Sequence, residues 1–244
     1  MKNILRTVRM FLMKSYLITM AEELEGKTRC YEKVQGDTTR TFKKSLMMID
    51  GADTFRGLKR VKYKIKDAFG KIPRKEPEEE VLKVGLTGEI FILLDEFANH
   101  GIKRKLGELG CEVHMGTSMY DWVKHKFHMN FRRKYLEHVS KKHKSIGGLQ
   151  MDIGGEAIWV IGDYISQAEE KFDGFVHVYP FTCMPEITAK AIINNWYGKG
   201  VFGLPPFFFS FDEHSGEAGL ITRLESYLDL LRRRKKERTI GNKN

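Results

Sequence analysis

The sequence predicts an α/β lobe: a three-layer, open parallel sheet of about four strands with helices on both faces, preceded by a helical N-terminal segment. Three observations predict it. From Leu82 onward, short apolar runs with strand character alternate with segments of helical period. The stretch Val176-His177-Val178-Tyr179 follows the turn Asp173-Gly174 and reads as a buried strand. The run Leu204-Pro205-Pro206-Phe207-Phe208-Phe209-Ser210-Phe211 is apolar almost throughout, as expected where both sheet faces are covered.

Taken in order, Val8, Leu12, Tyr16 and Met20 mark an apolar face at helical spacing. Further helices are expected over residues 40–48 and 58–69, the latter with Val61, Ile65 and Phe69 four apart. Residues 71–80 (KIPRKEPEEE) are polar, carry two prolines, and read as a linker between a helical segment over 1–75 and a lobe over 80–244. The first strand covers 82–88 and ends at its glycine, after which Ile90 to Leu94 continues apolar. A helix over 97–109 stops at Gly110. A short strand, 111–115, leads to a basic, aromatic helix over 120–144. The doublets Gly147-Gly148 and Gly154-Gly155 read as turns, since no strand leads into either as a dinucleotide fingerprint requires. Helices over 156–171 and 185–196 flank the third strand. The last helix, 215–234, buries Leu220, Leu224, Leu228 and Leu231.

A chain of 244 residues suits one large domain or two small ones, and 41% hydrophobic residues can bury a core. The formal charge of +10 suits an anionic partner, such as a nucleotide or a coenzyme A thioester. Much of the excess lies in residues 56–75 and 232–236, which read as solvated faces. No nucleic-acid reader module appears, so nucleic acid is not an expected partner. Three widely spaced cysteines do not make a disulfide framework, and a reducing, cytoplasmic setting is expected. No apolar run approaches the ~20 residues that span a bilayer, and charges interrupt residues 1–20, so neither a membrane span nor a signal peptide is expected.

In open parallel sheets ligands bind at the carboxyl ends of the strands. There the sequence places Thr87-Gly88-Glu89, then His114 with Gly116-Thr117-Ser118, then Cys183, then Asp212-Glu213-His214-Ser215-Gly216-Glu217. Pro180 closes its strand, Thr182 can cap the next helix and Pro185 suits the first turn of that helix. Cys183 is thus expected beside a helix N-terminus, which should lower its pKa and favour thiolate. The inventory lacks the paired cysteines of a zinc site. A cysteine nucleophile with His214 as base stays open, and no residue is assigned a catalytic role. An iron–sulfur cluster takes about four thiolates, and this edge offers one. Cys111 should lie on the opposite edge, and Cys30 reads as structural.

The strings Val84-Gly85-Leu86-Thr87-Gly88-Glu89-Ile90, Phe97-Ala98-Asn99-His100, Pro180-Phe181-Thr182-Cys183-Met184-Pro185-Glu186 and Asp212-Glu213-His214-Ser215-Gly216-Glu217-Ala218-Gly219 resemble the acyl-CoA dehydratase activase-related family. That family is similar to 2-hydroxyacyl-CoA dehydratase subunits and double-cubane-cluster proteins. The resemblance covers roughly residues 80 to 235 and implies a [4Fe–4S] or double-cubane cluster between α/β lobes. It also implies an ATP-dependent activator protein that supplies the electron, an acyl-CoA substrate and anaerobic metabolism. Cys183 matches the cluster-ligand motif; Glu89 and Glu213 match strings lining the same lobe. Relatives usually carry an earlier α/β lobe with further cysteines, which no stretch here matches. The expectation is a fragment, one component of a multi-chain complex, or a relic that lost its cluster. For a cluster to form, a partner lobe or subunit would supply the other thiolates. Two other readings stand beside this one: a non-enzymatic regulatory subunit without a cofactor, and a nucleotide- or coenzyme A-binding module.

Overall fold

The computed structural model describes residues 2–77, 80–126, 131–142, 153–212 and 216–241. The chain opens with α1 (Lys2–Thr28), α2 (Asp37–Asp50) and α3 (Phe55–Gly70). These enclose a core of their own, built on Leu17, Ala21, Ile49, Leu58, Ile65 and Phe69. α3 begins where Thr54 accepts a 3.0 Å hydrogen bond from the Gly57 N–H, a side-chain cap for an otherwise unpaired donor. Its apolar residues recur every three or four positions, which aims one stripe inward. The segment expected as a linker is pinned at its start. Lys33 N–H donates to the Pro73 carbonyl and Lys75 N–H to that of Tyr31, at 2.9 and 2.8 Å.

The lobe follows as β1 (Leu82–Gly88), α4 (Ile90–Leu94), α5 (Ile102–Glu108), β2 (Cys111–Met115), α6 (Met119–Lys126), α7 (Phe131–Lys142), α8 (Ala157–Glu169), β3 (Gly174–Pro180), α9 (Met184–Gly198), β4 (Pro206–Phe211) and α10 (Glu217–Gly241). The four strands form one parallel sheet in the order β2-β1-β3-β4. Period-two alternation sends Val84, Leu86, Val113, Val176 and Val178 to one face, where they meet α5 and the leucines of α10. Phe175 points to the other face, against Ile161, Tyr164 and Ile165 of α8 and Ile193 and Trp196 of α9. Tyr227 of α10 is buried among backbone polar groups at the sheet's amino end. Its hydroxyl donates to the Pro205 carbonyl (2.7 Å) and accepts from the Phe175 N–H (2.9 Å). The predicted three-layer α/β architecture is the one observed.

The helical segment docks on this lobe. α1 runs along the outer edge of β2. A Cβ on Gly26 would stand 2.4 Å from the Val113 carbonyl oxygen, so glycine is what allows the contact. Lys103 of α5 anchors the helix by bonds to Glu25 (2.8 Å) and to the Glu22 carbonyl (2.9 Å). Covering an edge strand in this way removes a template for aberrant strand pairing.

Ile90 to Leu94, an apolar run after the end of β1, forms α4, because the Glu89 carboxylate caps its first N–H groups. One sequence expectation is corrected. The helix expected over 97–109 begins at Ile102. His100 (φ 53°) and Gly101 (φ 65°) are left-handed. Asn99 holds the turn, donating to the Ile92 carbonyl at 2.8 Å and accepting from the Gly101 N–H at 3.0 Å. Of the basic segment expected over 120–144, α6 and α7 are described; the Gly147-Gly148 doublet lies outside the described residues. Among the described residues no helix is long and apolar enough to cross a membrane.

β1 and β3 approach closely at Gly88, which has φ 150° and whose Cβ, if present, would lie 1.8 Å from the Val178 oxygen. Gly88→Ala should therefore destabilise the protein by about 3 kcal/mol or more. Urea unfolding followed by circular dichroism measures it.

Candidate functional site

The chain leaves β1 towards β2 at one edge, then returns past β1 to lay down β3 and β4 on the other side. β1 and β3 are thus neighbours whose connections depart in opposite directions. A crevice opens between their carboxyl ends, the topological switch point where open α/β sheets bind ligands. Gly88-Glu89 and Phe181-Thr182-Cys183 meet there.

Glu89 N–H donates to the Val178 carbonyl at 3.0 Å, which ties the end of β1 to β3. Its carboxylate turns back to accept from the N–H groups of Phe91 and Ile92, both at 3.0 Å. Cys183 is the residue before the first turn of α9, a role expected for Thr182, and Pro185 lies in that turn. Its N–H donates to the Pro180 carbonyl (3.0 Å) and its carbonyl accepts from Ile187 (3.0 Å), so both backbone polar groups of Cys183 are bonded. The thiol is partly exposed.

Beneath it lies a feature the sequence did not disclose. His177 Nε2 and Glu186 Oε2 are 2.5 Å apart and both side chains are shut off from solvent. His177 Nδ1 and Glu186 Oε1 have no hydrogen-bond partner among the described residues. The expected lowering of the Cys183 pKa is overturned. Burial raises it, the Glu186 and Glu89 carboxylates raise it further, and the Glu186 N–H offsets this in part. The helix N-terminus is present, but burial of the thiol, with the two carboxylates added to it, outweighs the N–H it offers.

A second carboxylate pair borders the elbow. Gly155 packs on Pro185, where an added Cβ would lie 3.0 Å from the ring. The next residue, Glu156, pairs with buried Arg133 at 2.7 Å. Burial raises the Glu156 pKa, and Arg133 pulls it back. Nearer β2, Asp163 of α8 is buried and accepts from Thr87 Oγ1 and Arg132 Nη2, both at 3.0 Å. Burial pushes its pKa up to about 6.

Other expected site residues are distributed differently. Glu213 and His214 lie outside the described residues. Glu217 is the first residue of α10 and pairs with Lys105 at 2.7 Å, which holds its carboxyl below the usual range. His114 turns to Glu112 (2.8 Å) and to the Phe172 ring instead of the switch point, and burial lowers its pKa. Cys111 opens β2 at the opposite sheet edge, as expected from its place in the strand. Cys111 and Cys30 are both buried, and burial pushes each thiol up to about 12. The three sulfurs therefore do not converge. Among the described residues no group of three or more His, Cys, Asp or Glu side chains is placed to hold a metal ion.

Large apolar side chains rim the switch point. Phe91, Phe181 and Met184 stand 62%, 62% and 70% exposed on segments that follow β1 and β3. No protein-family model, curated protein or solved structure matches this chain.

Cys183 should be alkylated by iodoacetamide well before Cys30 and Cys111, and its rate should climb through a pKa above that of an unperturbed thiol. Glu89→Gln should move that profile to lower pH; mass spectrometry of timed digests reads both. For Asp163 the folded pKa exceeds the unfolded one. The folded state therefore binds the proton more tightly, and this contribution to stability is lost as pH rises from about 4 to 6. Asp163→Asn should gain stability relative to wild type over that window, by on the order of 2 kcal/mol. Denaturation at pH 4.5 and 7.5 checks the sign.

Proposed function

We propose that this chain is the C-terminal lobe of an iron–sulfur protein of the 2-hydroxyacyl-CoA dehydratase or double-cubane type, contributing one thiolate, from Cys183, to a shared cluster. The observation that carries the reading is where Cys183 sits. It is the accessible one of the three thiols, it stands at the switch point of the sheet, and exposed Phe181 and Met184 flank it in the chain. An apolar rim around a single metal-binding sulfur suits a half-site closed by a second lobe. The chain's own residues fit the cluster as one ligand of about four. A cysteine-bearing partner lobe or subunit supplies the rest, and an ATP-dependent activator delivers the electron.

When bound, the cluster would supply low-potential electron transfer to an acyl-CoA or similar small substrate. What the chain itself contributes is positioning. The His177–Glu186 pair holds the β3–α9 elbow, and the backbone bonds of Cys183 aim its sulfur outward. The raised thiol pKa keeps Cys183 protonated until a metal displaces the proton, since ligation requires thiolate.

Anaerobic purification of the chain from its native cells, followed by iron and acid-labile sulfide analysis of whatever copurifies, tests the proposal. The expected result is a coloured complex with about four iron and four sulfide per [4Fe–4S] unit. Cys183→Ser should remove that iron while leaving the chain folded. A colourless complex, or iron retained in full by Cys183→Ser, overturns it.

A further inference from the structure

A second cavity, of about 490 Å³, lies on the α8 face of the sheet beside β2, roofed by α1 and α6. α8 is largely apolar, yet Asp163, Ser166, Gln167 and Glu170 form a polar stripe along the side that lines this space. Two glycines make the stripe possible. A Cβ on Gly85 of β1 would lie 1.6 Å from Gln167 Oε1, and one on Gly116 would lie 2.4 Å from Asp163 Oδ2. The sheet has thus given up two side chains so that a carboxamide and a carboxyl can lie flat on it.

Asp163 has partners in Thr87 and Arg132. Gln167 differs: the residue is 6% exposed and its Oε1 has no hydrogen-bond partner among the described residues. Leaving such a group unpaired costs about 1–3 kcal/mol, and a leucine in its place would cost nothing of the kind. A half-turn of the carboxamide presents either its oxygen or its NH2 to the cleft.

The remaining walls narrow the ligand chemistry. The Tyr16 and Tyr120 rings meet edge to face at 5.6 Å, and the Phe172 and His114 rings do so at 5.0 Å. Aromatic rings at both sides suit a flat ligand. The charges lining the space offset one another: Lys27, Lys124 and Arg132 stand against Glu23, Asp121, Asp163 and Glu170. Arg132 bonds Asp163 and Lys124 lies 3.5 Å from Asp121. An anion gains little here. The volume suits a molecule larger than an amino acid.

We propose that this cleft binds an uncharged, flat heterocycle rich in N–H donors and acceptors, of nucleobase or nucleoside class, with Gln167 reading its hydrogen-bonding edge. The proposal is independent of the reading at Cys183.

Isothermal titration of the full chain with adenosine, guanosine, cytidine and uridine tests it, with ribose and spermidine as controls. At least one nucleoside should bind with Kd below about 1 mM, and ribose and spermidine should not. Gln167→Leu should weaken that binding about tenfold or more. Tyr120→Ala, at the cleft wall and outside the cores, should weaken it too and guards against a Gln167 variant that fails to fold. No heat with any of the four nucleosides overturns the proposal. So does spermidine binding in their place, or nucleoside affinity unchanged in both variants.

Discussion

A single buried hydrogen bond, 2.5 Å between His177 and Glu186, holds the β3–α9 elbow on which the candidate site stands. His177 comes from the middle of β3 and Glu186 from the first turn of α9, so the bond fixes where the helix starts relative to the strand. Both groups are out of solvent, and breaking such a pair strands the survivor at a cost of about 3–5 kcal/mol. The elbow between them therefore has little freedom, and Cys183 inherits a fixed position. The same carboxylate raises the pKa of the sulfur it positions. Support and electrostatic tuning come from one side chain.

The lobe divides its polar chemistry between two places at the carboxyl side of the sheet. At the switch point, Glu89, Cys183 and Glu186 come from segments that end β1 and begin α9. Towards β2, Asp163 and Gln167 reach down from α8 into space that Gly85 and Gly116 leave open. Thr87 joins the second group through its hydroxyl, one residue before the close approach at Gly88. The N-terminal helices matter to both regions. They cover the β2 edge, and α1 roofs the second cavity with Tyr16 and Thr19. Without α1 the polar stripe of α8 would face open solvent.

Strand runs, the leucine stripe of α10 and the alternation of element types were all legible along the chain, because each depends on residues a few positions apart. The stop at Gly110 was legible for the same reason: its φ of 90° is a local demand that glycine meets. Ile90 to Leu94 had no type legible in sequence, because a short apolar run suits strand and buried helix alike, and the Glu89 cap decides between them. Asn99 cut short the next helix by bonding backbone groups up to seven residues away, which no periodicity reports. Cys183 stood where its flanking prolines put it. Its protonation did not follow, since that depends on how far the folded chain buries the sulfur and which carboxylates it brings nearby.

What the amino-acid sequence determined by itself is the order of elements, the parallel sheet they build and the placing of Cys183 and Glu89 at strand ends. These follow from backbone preferences and the period of apolar residues, which are local and additive. Only the tertiary structure decided that His177 meets Glu186, that Arg132 meets Asp163, and that Gln167 Oε1 lies over Gly85 with no partner among the described residues. Each of these joins segments whose meeting depends on how helices settle on the sheet. The free energy of a buried polar group is set by its neighbours in space, not by its neighbours in the chain.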